Sequence, residues 1–255
     1  MKVIAVIPAH LSSLRLKRKV LIKFKGLEMI EHVRRRAVIS DVFDDIFVAT
    51  GDELIEDLIK SKGGKVIRTV KDHTSGTSRV AEAIDKIDCD HVVLLQGDEP
   101  LMLPQHLKSM VQAIKNNPSR DAWNATADLE NEYELNKQSF VKCSISEENK
   151  IIYCFRRSPS FSQLESQLCY IKKILGVIAY KKEILIDLSL KEKSYIELIE
   201  SIEQIGILIN NYSLYSVPMK PSLPSVNEPG DANQINKLFE ENHEQKELLK
   251  KVLEL

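Results

Sequence analysis

Short apolar runs alternate with stretches of helical spacing through the N-terminal part of the chain. That alternation restricts the fold more than any other feature. Val3 to Ile7 is continuously apolar and reads as a buried strand that Pro8-Ala9 ends. Met29, Ile30, Val33, Ala37 and Val38 then recur at helical spacing, in a helix that Gly26 is expected to open. Asp45 to Ala49 reads as a second strand and Glu53 to Lys62 as a second helix, with Gly63-Gly64 available as its C-cap. Lys65 to Arg68 is a third strand. A β-α-β-α-β order implies a parallel sheet with right-handed crossovers, hence an α/β fold.

The run His91-Val92-Val93-Leu94-Leu95 is another candidate for a buried parallel strand. Gln96-Gly97-Asp98-Glu99-Pro100 follows it: Gly97 breaks the strand, Pro100 prevents its continuation, and two carboxylates sit in the break. In open α/β sheets ligands bind just beyond the C-terminal ends of the strands. An acid there can hold a divalent cation over a phosphate, because Mg²⁺ takes oxygen ligands and usually only one or two carboxylates among them. A strand followed by an acidic, solvated turn is the plainer alternative.

Other segments carry weaker signals. His10 to Lys19 is a basic loop with two serines, where Arg15 could fork onto phosphate oxygens and Lys19 could add a point charge. Taken alone it reads as a solvated loop, and it lacks the G-x-x-x-x-G-K pattern of a Walker A motif. Asp72 to Arg79 leads into an amphipathic helix that Thr74, Ser75 or Thr77 could cap. Such a helix start is also an anion or ribose site, and Arg79 in its first turn opposes the helix dipole. His32 reads as a packed or surface histidine, not a ligand.

Leu103 to Lys115 is expected to be helical and Ala122 to Asp128 a strand. Phe140 to Ile145 and Ile151 to Phe155, joined by a polar turn, read as a hairpin. Ile171 to Tyr180 is a further apolar strand, followed by a short helix over Ile184 to Leu190. Tyr195 to Ile207 is expected to be one helix, with Glu197, Glu200 and Glu203 on one face, either solvated or facing a polar ligand. After a strand over Ser213 to Val217, several prolines keep the chain extended. Asp231 is then expected to cap a last helix, whose charged extension carries Leu248, Leu249, Val252 and Leu255 towards the core or a partner.

Composition narrows the function. The net charge of -1 gives no bulk reason to expect nucleic acid or an anionic membrane as partner. Four scattered cysteines without a C-x-x-C pair argue against a zinc site or disulfide framework and suit a reducing cytosol. The apolar run at the N-terminus is too short for a signal peptide or a membrane span. A length of 255 residues suits a single domain, 1–255, with an inserted region at about 130–182 and a C-terminal helix at about 231–255.

Several blocks, taken in order, resemble the CTP-dependent sugar-acid cytidylyltransferases, and among them the 3-deoxy-manno-octulosonate (Kdo) cytidylyltransferase family. Ile7-Pro8-Ala9-His10-Leu11-Ser12-Ser13-Leu14-Arg15-Leu16-Lys17-Arg18-Lys19 stands where the family has I-P-A-R-x-x-S-x-R-L-P-x-K. Val48-Ala49-Thr50, an acidic turn and Gly63-Gly64 follow, and Asp72-His73 with Ser75-Gly76-Thr77 and Arg79 matches D-H-x-S-G-T-x-R. The Gln96 to Pro100 block matches Q-G-D-E-P completely, Arg157-Ser158-Pro159 is similar to an R-S-P element, and Glu197 with Glu203-Gln204 to an L-E-x-x-E-x-L-E-Q helix. The resemblance extends to about Asn242.

It implies a Rossmann-like, mostly parallel mixed sheet of the nucleotidyltransferase type and a homodimer formed through the inserted hairpin. The implied reaction joins CTP and a 2-keto sugar acid with Mg²⁺, giving a CMP-sugar and pyrophosphate for cell-surface polysaccharide in the cytoplasm. Carried over residue by residue, Arg15, Lys19 and Asp98 are the catalytic set, with Asp98 and Asn227 as metal ligands. Ala9, Ser13, Ser75, Gly76, Thr77, Arg79 and Gln96 hold the nucleotide, and Arg157, Glu197 and Gln204 the sugar; Gln96 also lies towards the sugar.

The departures bear on the substrate. His10 replaces an Arg, Lys17-Arg18 replaces a Pro and a small residue, and the N-P-N segment before Val141-Lys142 is missing. Lys173-Ile174 replaces the Arg-His of R-H-x-G-x-Y-x-Y, and Asn227 replaces the first Asp of V-D-T-P-E-D. The amide oxygen of Asn227 can still ligate Mg²⁺, without the charge, and Glu228 is a neighbouring substitute. The alternatives are a CTP-binding homologue without turnover, or a nucleotidyltransferase for another sugar or base.

Overall fold

The computed structural model describes residues 1–12, 16–228 and 230–255. The chain opens with β1 (Val3–Pro8), a 3-10 turn (Lys19–Leu21), β2 (Lys23–Phe24), β3 (Leu27–Glu28) and α1 (Met29–Ser40). Then come β4 (Asp45–Thr50), α2 (Glu53–Ser61), β5 (Lys65–Arg68), α3 (Gly76–Ile84), β6 (His91–Leu95) and α4 (Pro104–Asn116). Next are β7 (Ala122–Asp128), α5 (Glu132–Asn136), β8 (Lys142–Ile145), β9 (Ile151–Phe155), α6 (Leu164–Tyr170) and β10 (Ile171–Lys181). The remainder is α7 (Lys182–Leu190), α8 (Tyr195–Glu200), α9 (Gln204–Ile209), β11 (Leu214–Pro218), α10 (Asp231–Glu241) and α11 (His243–Glu254).

These elements form two compact units, 1–111 with 223–255, and 112–222. The 130–182 stretch singled out in the sequence lies wholly inside the second unit, which is longer at both ends.

In the first unit four parallel strands run in the order β6-β1-β4-β5, as the alternation predicts. β1 is central and buried along its whole length. Its register sets Val6 opposite Leu94 and Pro8 opposite Ala49. The turns that follow β1, β4 and β6 therefore emerge at one edge, which is where a site can form. Gly63, at φ 71°, closes α2 as expected, its N–H donating to Lys60 O at 3.0 Å.

Gly26 does not open a helix. Lys25 (φ 50°) and Gly26 (φ 85°) make the tight turn between β2 and β3, and α1 starts at Met29. Two successive left-handed residues suit the twist of a hairpin. Strands of two residues carry no periodicity, so the sequence could not announce them.

The C-terminal stripe packs on the core of this unit. Ile235 and Phe239 of α10 pack with Phe24, Met29, Leu101 and Val226, while Leu248 and Val252 of α11 pack with Leu27 and Leu103. Each such side chain contributes roughly 1.5–3 kcal/mol by leaving water. The expected single helix is broken at Asn242, whose side chain accepts from Gln245 N at 3.0 Å and starts α11. Polar pairs lock the docking: Arg35 donates to Val252 O (2.9 Å), Arg36 to Met102 O (3.0 Å) and Gln245 (2.9 Å), and Gln245 to Leu101 O (2.8 Å).

His32 is fully buried in α1, its Nε2 donating to Phe24 O at 2.8 Å. Nδ1 has no partner among the described residues. Burial, opposed by the Phe24 carbonyl and reinforced by Arg36 and Arg35, lowers its pKa from 6.5 to about 4. On acidification the unfolded chain takes up this proton first, so acid favours unfolding. We expect stability to fall between pH 6.5 and pH 4, by roughly 3 kcal/mol in all. Urea midpoints across that range should show the loss in the parent and a shallower loss in His32→Gln; equal slopes would remove His32 as the cause.

In the second unit β7 is flanked by β10 (antiparallel) and β11 (parallel), and β8 and β9 extend the β10 side. β8 and β9 form the expected hairpin, with Asn149 (φ 60°) in its turn. The register of β10 on β7 shifts between Ile174 and Ile178, around Gly176. The short helices α5 and α6 had no periodic signal. The expected helix over Tyr195 to Ile207 is two helices, broken where Ser201 takes a left-handed conformation (φ 53°). Both units together give the mixed, mostly parallel α/β class. All cysteines are free, and burial pushes the Cys143 thiol up to about 12, so it stays protonated and unreactive. No helix among the described residues is long and apolar enough to cross a membrane.

Candidate active site

The edge where β1, β4 and β6 end gathers most of the residues singled out by the sequence. Asp98, in the turn after β6, accepts from Lys19 Nζ at 2.5 Å. Both side chains are largely shielded, with 20% and 15% of their surface exposed. Gly97 runs beside the β1 end, where a Cβ would make ordinary contacts, 3.6 Å from Pro8 O and 3.5 Å from Val20 Cγ1. An acid and an ammonium in contact, partly withdrawn from water, give a site that accepts a polyanion at Lys19 and a cation at Asp98.

A second wall comes from the start of α3. Ser75 is its N-cap, its side chain accepting from Ser78 N at 3.2 Å, as the sequence led us to expect. Gly76 opens the helix, and a Cβ there would stand 3.1 Å from Pro8 Cγ and 3.8 Å from Gln96 Nε2. The bare backbone lets the helix start press on Pro8 and brings Gln96 alongside. The N–H groups at a helix start favour negative charge. Arg79 is buried, and its Nη1 donates to Thr69 Oγ1 at 2.5 Å. That bond accounts for a cation in the first turn.

Beyond β1, Ala9 N donates to Ala49 O (2.9 Å) and Leu11 N to Asp52 Oδ2 (3.0 Å), which tie the loop to the β4 end. His10 bonds Ser12 Oγ at 3.1 Å. Partial desolvation, Arg79 and Lys19 lower its pKa, and the Asp52 carboxylate opposes them. Lys19, Arg79 and His10 thus share one electrostatic neighbourhood. Ser13 and Arg15 lie outside the described residues.

Asn227 lies on the extended segment before α10, which is stitched to the β6 turn by Val226 N donating to Asp98 O at 2.9 Å. Its amide nitrogen donates to Ser225 Oγ at 2.8 Å, which turns the Oδ1 end away from Ser225. Asp231 is not the N-cap of α10: Gly230 holds that position and Asp231 is the first helical residue. Its Oδ2 accepts from the backbone N–H of Asn227 (2.7 Å) and of Glu228 (2.8 Å). No group of three or more His, Cys, Asp or Glu suited to a metal occurs among the described residues. One carboxylate and one amide oxygen are hard oxygen donors, and that set fits Mg²⁺, which keeps waters and takes substrate phosphates.

In the second unit Arg157 lines a cavity of about 330 Å³ with Gln138, Tyr153, Phe155 and Glu200. The Gln138 amide oxygen, turned to face the guanidinium, accepts from Arg157 Nε (2.9 Å) and Nη2. Gln204, at the start of α9, donates to Asn124 Oδ1 at 3.0 Å. The Glu197 carboxylate closes a capping box with Ser194 and lies so near Gly206 that a methyl there would strike it. Glu197, Glu200 and Glu203 do not share one helical face, because Glu203 lies past the Ser201 break as the N-cap of α9.

Sequence reasoning passed over several supporting residues: Thr69 under Arg79, Asp52 under the first loop, Asn124 under Gln204 and Gln138 under Arg157. Lys142 belongs with them, a fully buried amine that donates to Lys137 O (2.8 Å) and to Arg156 O. Desolvation, helped by Arg156, lowers its pKa to about 8. A lysine between Val141 and Cys143, at the start of a strand, was the one available signal.

The family described as Cytidylyltransferase matches residues 4–216, a span that runs from β1 into β11. The chain belongs to that family. The 3-deoxy-manno-octulosonate cytidylyltransferase of Fusobacterium nucleatum subsp. nucleatum is 33% identical over 244 residues, covering 95% of this chain and 99% of the relative. The 8-amino-3,8-dideoxy-manno-octulosonate cytidylyltransferase of Shewanella halifaxensis is 31% identical over 235 residues, covering 91% and 96%. A solved CMP:2-keto-3-deoxy-manno-octonic acid synthetase complexed with CTP superposes with a TM-score of 0.87 at 28% identity, covering 94% of this chain and 99% of its own. The enzyme is a cytidylyltransferase, and its fold matches that neighbour. The resemblance built on the Gln96 to Pro100 and Ser75 to Arg79 blocks thus leads to the same family.

Proposed function

We propose that the enzyme couples Kdo, or a closely related 2-keto sugar acid, to CTP, releasing pyrophosphate and the CMP-sugar. The observation that carries this is the Lys19–Asp98 pair beside Gln96 and the Gly76 helix start, in a chain that matches a Kdo cytidylyltransferase over nearly its whole length. Lys19, with Arg15, neutralises triphosphate oxygens, and the N–H groups at the start of α3 add fixed dipoles. Ala9, Ser13, Thr77, Arg79 and Gln96 complete the nucleotide side. Arg157 and Gln204, held by Gln138 and Asn124, orient the sugar acid, Arg157 by pairing with its carboxylate. Glu197 supports the start of that region through its capping box.

The anomeric hydroxyl of the sugar gives up its proton to solvent and its oxygen forms the new bond to the α-phosphorus as the bond to pyrophosphate breaks, and the leaving charge falls near Lys19. Asp98 and Asn227 would hold Mg²⁺, which supplies charge neutralisation on the phosphates. We also assign the enzyme to the cytoplasm, to the synthesis of cell-surface lipopolysaccharide and to a homodimer. Ile152 and Tyr153 of the β8–β9 hairpin are exposed apolar residues suited to a partner copy, and a monomeric mass by light scattering would count against that assembly.

A second reading, an 8-amino sugar acid as substrate, is favoured by the Shewanella relative and by Lys173-Ile174 in place of an Arg-His pair. Pyrophosphate release with CTP, Mg²⁺ and either Kdo, its 8-amino analogue or a nonulosonic acid separates the readings. Turnover is expected with Kdo or the 8-amino acid. Silence with every acid, alongside calorimetric CTP binding, would overturn the proposal in favour of a non-catalytic nucleotide binder.

A further inference from the structure

The segment carrying Asn227 is extended chain without a ladder of its own, so something must hold its position. Three N–H groups of the segment do so, beside a backbone bond from Asp231 N to Glu228 O at 3.1 Å. Val226 N donates to Asp98 O at 2.9 Å, and the next N–H groups, of Asn227 and Glu228, both donate to Asp231 Oδ2, at 2.7 and 2.8 Å. Asp231 is itself anchored, because it begins α10, whose Ile235 and Phe239 are buried against Phe24, Met29, Leu101 and Val226. The Asn227 side chain is steered separately, by its bond to Ser225 Oγ at 2.8 Å.

We infer that Asp231 is a positioning residue, which clamps the backbone at Asn227 and Glu228, next to the Val226–Asp98 bond, and so holds the Asn227 amide in place as a cation ligand. The inference rests on the metal reading of Asp98 and Asn227 given above. A carboxamide is a weaker ligand than a carboxylate, since it lacks the charge that would draw it onto the ion. A neutral ligand therefore depends more on being held in place beforehand, and groups behind metal ligands commonly carry much of the affinity.

The test uses the full chain and Mn²⁺–CTP, because Mn²⁺ takes the same oxygen donors as Mg²⁺ and reports its surroundings through water-proton relaxation. Asn227→Ala, Asp231→Ala, Asp231→Asn and Ile235→Val are compared with the parent. Ile235→Val loosens α10 from its buried side without touching the clamp. We expect Asp231→Ala to weaken Mn²⁺–CTP retention about tenfold, as outer supports of metal sites do. Asp231→Asn should stay near the parent, because an amide oxygen still accepts both N–H groups. Ile235→Val should lower the melting temperature and leave the relaxation titration in place.

If Asn227→Ala shifts the titration and Asp231→Ala does not, the positioning role is wrong while the metal reading stands. The role is equally overturned if Ile235→Val shifts the titration as far as Asp231→Ala, since loosening the helix would then suffice. If Asn227→Ala leaves the titration unmoved, the metal reading itself fails.

Discussion

Asp98→Ala is expected to lower turnover by about 10²–10³, the usual cost of removing one charged or donor group aimed at developing charge. Two effects combine in this variant. The carboxylate that would hold a cation over the phosphates is lost, and Lys19 loses the acceptor that fixes its ammonium at 2.5 Å. Because Lys19 is then freed to pair with the triphosphate, CTP binding should survive far better than turnover. Asp98→Asn keeps an acceptor for Lys19 but not the charge, so it separates the two effects: a turnover as low as that of the alanine variant assigns the loss to the missing charge. Steady-state pyrophosphate release and calorimetric CTP binding on the same preparations check this. Near-parental turnover in Asp98→Ala would remove the residue from the catalytic set.

The second large effect is on stability. Glu31 has no exposed side-chain surface and accepts from Arg34 Nε (2.6 Å) and Nη2 (2.9 Å), and from Arg35 Nε (2.9 Å). Arg34 and Arg35 are themselves shielded, each with 9% of the side chain exposed. Glu31→Gln keeps the shape of the side chain but leaves two guanidinium groups without their counter-charge. Breaking a buried pair from one side costs roughly 3–5 kcal/mol, because the remaining charge stays desolvated. For a chain of this size the melting temperature should fall by about 10 °C. Arg35 also holds Val252 O, so the damage should spread to α11 and appear as faster amide exchange there. A melting temperature within a degree or so of the parent would mean that water or local rearrangement solvates these arginines.

What the sequence disclosed and what it withheld follow one division. The strands β1 and β4 to β11 were all legible, most of them because a buried strand must be apolar wherever its partners lie, and β5, which is not buried, by its place in the alternation. Helices α2, α3 and α4 were legible because a face turned to the core repeats every few residues. The turn between β2 and β3 was not, since its strands are too short for any repeat. The break at Ser201 was not, since a single left-handed residue leaves no periodic trace.

The candidate site divides in the same way. The sequence by itself determined which chemical groups stand at the ends of the strands: Lys19, the Ser75 to Arg79 helix start, Gln96 and Asp98. Those positions depend on local breaks in apolar runs, which spacing reveals. Only the tertiary structure decided what each group faces. Lys19 meets Asp98 across 79 positions of sequence, and Gln204 meets Asn124 across 80. Glu197 turned back to its own cap at Ser194, three residues away, and Arg79 went to Thr69. The C-terminal stripe of leucines could have served a partner, and buried arginines of α1 drew it onto the core instead. A local pattern states which side of an element leaves water, because amphipathicity is a property of that element alone. Which group meets which depends on register and chain crossing, and many arrangements bury the same faces until the packed structure selects one.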